Sequence, residues 1–146
     1  MRADEIEQLR AFTNLEDADG NYDPNAAARM FLTKSGPQFT VMGRDGFPAV
    51  CGGYDMAMDG VWQSWMVGSM EGWEGNWRAI TKASRWLMWS LFRSGARRLQ
   101  TSAIASRCQA HEWYIKGLHM KHEGIQRGAG LNGEDVHLFG ILAEEL

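Results

Sequence analysis

The stretch AHEWYIKGLHMKHEG, residues 110–124, gathers side chains that handle protons: Tyr114, His111, His119 and His122. A tyrosine at the mouth of a cleft can give its phenolic proton to a leaving group, or it can simply pack its ring on a sheet. With His137 further on, the histidines raise the question of a metal. Their spacings match no standard ligand pattern, and His119 and His122 fall where a helix should give way to a strand. Solvated or core imidazoles are therefore expected, and no metal. Cys108 and His111 would place a nucleophile and a base on one helical turn, but no third group is evident to orient them.

A second set of residues suits an anion. The segment Glu71-Gly72-Trp73-Glu74-Gly75-Asn76 reads as a glycine loop between a strand and a helix that opens near Trp77. The first free N–H groups of such a helix, and the positive end of its dipole, point at a bound phosphate. Arg78 and Lys82, at i and i+4, would add charge. Glu71 and Glu74 work against it, because they repel an anion.

These residues need elements to position them. Residues 3–13 read as a short amphipathic helix with Ile6, Leu9 and Phe12 on one side, and NAAARMFLTK as a second helix ending at Gly36-Pro37. Between them, NLEDADGNYDPN is an acidic, turn-rich loop. QFTVMG, FPAVCGGYDMAM and VWQSWMVG then read as three antiparallel strands, turned at Asp45-Gly46 and Asp59-Gly60. Gly52-Gly53 suggests a bulge or a close backbone approach. The helix WRAITKASRWLMWSLFRSG carries the stripe Ile80, Ala83, Leu87 and Leu91, and stops at Gly95. RRLQTSAIA is a strand, the 110–124 stretch opens as a short helix that stops at a glycine and runs into a strand, and MKHEGIQRGAG with DVHLFGIL is a hairpin turned at Asn132-Gly133. A strand-helix-strand crossover joining the meander to the second half makes this an α/β chain with a mixed sheet.

Composition sets the outer bounds. With 146 residues, 45% of them hydrophobic, one compact domain with a real core is expected over 1–146. No run approaches twenty apolar residues, so no membrane span is expected. MRADEIEQLR is charged from its second residue, which argues against a secretory signal and for the cytoplasm. Cys51 and Cys108, far apart, read as reduced thiols. A net charge of -3 gives no reason to expect nucleic acid. Seven Trp and nine Met either fill the core or build a flat apolar face for a protein partner.

The phrases GPQFTVMGRDGFPAVCGG, VWQSWMVG, WYIKGLHMKHEG and LNGEDVHLFGIL together resemble the GNAT N-acetyltransferase superfamily over roughly residues 35–142, after a helical segment at 1–34. The nearest likeness is to small GNAT-like proteins of bacteriophages and prophages, one class of which is named as an internal virion or head protein. The resemblance implies a central strand that splays from its neighbour, with acyl-CoA in the gap and its pyrophosphate on a glycine loop. Main-chain groups of Trp65, Met66 and Val67 would then pair with pantetheine. Gly72, Trp73, Glu74, Gly75, Asn76, Trp77 and Arg78 would stand at the phosphate loop, which lacks the family's basic lead and carries Trp77 where a small residue is usual.

In the family's closing helix an alanine precedes a tyrosine by four, as Ala110 precedes Tyr114, so Tyr114 takes the place of the general acid. Arg107 stands where an asparagine is usual. The chain is one residue longer after Tyr114, and aligning backward from Glu123-Gly124 puts Ile115 at the tyrosine position instead. Glu71, or a water held by Asp59, are the candidate bases. The family's usual first strand is not visible, and helices stand in its place. Two functions follow from the resemblance. One is an acetyltransferase moving the acetyl group of acetyl-CoA to an amine. The other is a GNAT-fold phage protein with a decayed cleft, acting on a phage or host protein in the host cytoplasm or in the virion.

Overall fold

The computed structural model describes residues 34–146; the two N-terminal helices, the acidic loop and the question of a first strand fall outside the described residues. Six strands form one mixed sheet. They are β1 (Gln38–Met42), β2 (Pro48–Met58), β3 (Val61–Gly68), β4 (Arg98–Ile104), β5 (Lys121–Gln126) and β6 (Val136–Leu142), in the order β1-β2-β3-β4-β6-β5. Helix α1 spans Met70–Arg93, and α2 spans Cys108–Glu112, running into a π-helical turn at Trp113–Gly117. The chain divides into two compact units, the described parts of one being 34–55 with 65–83, and the other being 56–64 with 84–146.

In the first unit β1 and β2 pair antiparallel around a tight turn. Gly46 takes the left-handed φ of 83° there, and the Phe47 N–H donates to the Asp45 carboxylate at 3.0 Å. From Ala49 to Tyr54, β2 is buried without alternation, as a strand covered on both faces must be. Gly52 and Gly53 lie in regular register, the irregularity falling instead at Val41/Met42. They serve close approach: a Cβ on Gly53 would come within 2.5 Å of the Pro37 carbonyl oxygen.

In the second unit the crossover is as the sequence predicts. β3 and β4 run parallel, through the pairs Val61↔Arg98, Trp62↔Leu99 and Gln63↔Gln100. β4 pairs antiparallel with β6 along its whole length, and β6 with β5. Alternation on β4 buries Leu99, Thr101 and Ala103 on one face. The opposite face carries an ion pair from Arg98 to Glu123 that passes over Gly140 of the intervening strand, where a Cβ would meet both side chains at 2.7 Å. Fully buried Leu99, Phe139 and Ile141 anchor this core.

The glycine segment is a correction. Residues 71–76 are helical, not a loop, since α1 begins at Met70. Ser69 caps it: its Oγ accepts the Gly72 N–H at 2.9 Å and its carbonyl accepts the Trp73 N–H. The stripe of Ile80, Ser84, Leu87 and Leu91 is buried, and half-buried Trp73 and exposed Trp77 precede it at helical spacing, so the apolar periodicity of the sequence reaches into the supposed loop.

Candidate active site

Tyr114 sits where α2 widens into the π-helical turn. The Leu118 N–H reaches back five residues to the Trp113 carbonyl at 3.1 Å, and the Met120 N–H bonds the Tyr114 carbonyl at 2.9 Å. The π turn at Trp113–Gly117 holds one residue more than an α turn would. Gly117 permits it, because a Cβ there would strike the Trp113 indole at 2.6 Å. Of the two registers, Tyr114 is the one turned onto the sheet: its ring stands 5.2 Å from that of buried Phe139, and its hydroxyl shares a hydrogen bond with buried Thr101. Ile115 is 45% exposed. Burial pushes the Tyr114 phenol above its ordinary range, opposed by the Thr101 hydrogen bond and the nearby Arg107 charge. At neutral pH the phenol therefore keeps its proton.

Arg107 holds the N-cap position of α2, and its carbonyl accepts the His111 N–H at 3.2 Å. Cys108 and His111 do not form a nucleophile–base pair: the thiol points to the Ala105 carbonyl, and His111 Nε2 meets the Ile104 carbonyl at 2.9 Å. Asp59 is a turn residue. It lies in the turn before β3, at the end of that strand still laddered to β4, away from Trp65, Met66 and Val67.

Strand pairing also brings together residues that spacing did not. Thr101, Phe139 and His122 are neighbours across β4, β6 and β5, with Ala103 and His137 in the next rank. His122 Nε2 lies 2.9 Å from His137 Nδ1, and the His111 ring lies 4.6 Å from that of His137. Among the described residues no three metal-binding side chains converge with ligand geometry. His119, in a left-handed turn with φ 58°, faces Arg85 instead. The only hint of this cluster in the sequence was the offset of His137 from Phe139 by two, which puts both on one strand face.

In the first unit, the start of α1 and the β1–β2 turn enclose a recess of about 580 Å³, lined by Arg44, Asp45, Glu71, Gly75 and Asn76 among others. Glu71 is exposed in the first turn, and Asn76 Nδ2 donates to the Gly72 carbonyl at 3.0 Å. Gly72 is used for packing, since a Cβ would meet the Ala49 carbonyl oxygen at 2.4 Å, whereas Gly75 faces open space. Trp77 continues the core stripe of α1 yet is 48% exposed, with the Arg78 guanidinium 5.3 Å from its ring centre. A phosphate cradle of the family's usual form, with glycines left free for the anion, does not fit a capped helix whose first glycine is pressed against β2.

No family model matches the chain, and no curated protein matches it. Solved structures do. A GNAT-family acetyltransferase from Bacillus anthracis superposes with a TM-score of 0.72 at 13% identity, over 99% of this chain and 93% of that one. A GNAT-superfamily phosphinothricin acetyltransferase from Sinorhizobium meliloti, in complex with AcCoA, gives 0.71 at 12% identity over 97% and 85%. A spermidine N-acetyltransferase chimera from Vibrio cholerae gives 0.66 at 12% over 97% and 89%. The chain has the fold of the GNAT acetyltransferases.

Proposed function

We propose that this chain is an acetyl-CoA-dependent N-acyltransferase. The observation that carries the reading is the seating of Tyr114, protonated and hydrogen-bonded, on the closing helix of a GNAT fold. The amine nitrogen attacks the thioester carbonyl carbon, the C–S bond breaks, and the departing thiolate takes the Tyr114 proton. Glu71 is the proposed acceptor of the amine's proton. The main chain of Trp65, Met66 and Val67 is proposed to pair with pantetheine, a role supported by the end of the β3–β4 ladder at Gln63↔Gln100. In place of a glycine cradle, the half-exposed Trp77 with the Arg78 guanidinium 5.3 Å from its ring centre is the proposed contact for the phosphate-bearing end, and Arg107 is proposed separately as a further coenzyme contact. Release of free thiol from acetyl-CoA in the presence of a panel of small amines and amine-bearing peptides tests this. Amine-dependent release above the uncatalysed rate is expected; hydrolysis alone, or none, opposes it.

A second reading has its own support in the helical start of α1, where Ser69 occupies the cap and Gly72 is consumed by packing. On this reading the cleft has decayed and a phage-encoded chain acts by binding a phage or host protein. Failure to bind acetyl-CoA by a folded protein would favour it.

A further inference from the structure

Three imidazoles from three elements meet beside Tyr114: His111 from α2, His122 from β5 and His137 from β6. Phe139 is their hub, with ring centres 5.3 Å from His111, 5.3 Å from His122 and 5.2 Å from Tyr114. The geometry restricts where protons can sit. A carbonyl only accepts, so the His111 contact with Ile104 places a hydrogen on His111 Nε2. At 2.9 Å, His122 Nε2 and His137 Nδ1 share one hydrogen, because two N–H groups would point at each other. The pair as built therefore holds at most one positive charge. The His111 ring, 4.6 Å from that of His137 and tilted 34° against it, disfavours a charge on His137.

We propose that His111, His122 and His137 are positioning residues for Tyr114, forming a seat that holds α2 on β6 while the rings are neutral and lets go when the cluster takes up protons. His111 and Tyr114 lie one helical turn apart on the same segment, and His137 and Phe139 lie two residues apart on the facing strand. Displacing His111 from His137 thus moves the backbone that presents Tyr114 to Thr101. Among the described residues, two charged groups act on the seat and on Tyr114. Asp135, just before β6, favours a charge on His137 but also accepts the Gly128 N–H at 2.9 Å, while Arg107 acts on Tyr114. Burial and the two neighbouring imidazoles outweigh Asp135, so His137 is harder to protonate than an ordinary histidine. The inference rests on the proposed role of Tyr114 for its catalytic consequence alone.

The test is a titration of the whole chain, labelled with carbon-13 in its histidine and tyrosine rings, from pH 8 to pH 5 by proton–carbon correlation spectra. The seat predicts a His137 midpoint below the ordinary value of about 6.5, and a shift of the Tyr114 ring signals with that same midpoint. In His137→Phe, which keeps a ring against Phe139 but takes no proton, the Tyr114 signals should lose that shift. Should His137→Phe fail to fold, His122→Gln removes the imidazole that shares a hydrogen with His137 while keeping a hydrogen-bonding group. Three independent histidine titrations, or a Tyr114 ring indifferent to them, overturns the seat. Because no acetyl-CoA or amine is needed, an inactive protein can still show the coupling, and an active one can lack it.

Discussion

At the level of single residues, the account depends on Tyr114 keeping its proton until a thiolate needs it. Tyr114→Phe leaves the ring on Phe139 and removes the donor, so turnover should fall about 10²–10⁴-fold while the melting temperature hardly moves. Full turnover in that variant would take Tyr114 out of the mechanism. The histidines make a separate prediction about stability. His137 binds its proton less readily in the folded chain than in the unfolded one. Below the unfolded value of about 6.5 the unfolded chain therefore holds more protons, and stability falls as the pH drops from there toward the lower folded value. Thermal melts between pH 7.5 and 5 should show the decline, and His137→Phe should flatten it. Tyr114 was singled out in the sequence as the general acid only through the resemblance, by its distance to Ala110, and its catalytic role is a proposal. The histidine cluster was not legible, because strand pairing assembles it and sequence spacing does not report which strands pair.

At the level of elements, α1 and the π turn are the instructive cases. Two glycines within six residues read as a loop because glycine weakens helices by about 1 kcal/mol each relative to alanine. Ser69 at the cap and the Trp73–Trp77–Ile80 spacing were the available contrary signal. The two glycines now separate in their expected behaviour. Gly75→Ala, in open space on a helix, should raise stability by up to about 1 kcal/mol. Gly72→Ala puts a Cβ 2.4 Å from the Ala49 oxygen and should lower it, by roughly 1–3 kcal/mol for an overpacked contact. Chemical denaturation of both variants checks this, and an equal loss from both would return the segment to a loop-like role. The widened turn at Trp113–Gly117 was not legible in the sequence, because a π turn depends on how the segment packs and not on residue spacing.

At the level of the whole molecule, the mixed sheet, the parallel crossover and the closing hairpin were legible, because Asp-Gly and Asn-Gly turns and alternating strands leave few topologies. The ligand is harder, since the fold is shared with solved acetyltransferases at only 11–20% identity, which carries the fold and no residue roles. Trp77 is where the two readings of the function part. If its half-exposed indole belongs to a rebuilt coenzyme surface, Trp77→Ala should weaken acetyl-CoA binding roughly tenfold, the scale of one lost aromatic contact; tighter binding in the variant would mean that the indole obstructs a relic. The most direct measurement is isothermal titration calorimetry of acetyl-CoA into the purified wild-type chain. The account predicts saturable binding of one molecule per chain, and a folded protein that evolves no binding heat at millimolar acetyl-CoA, with no rise in melting temperature, would contradict it.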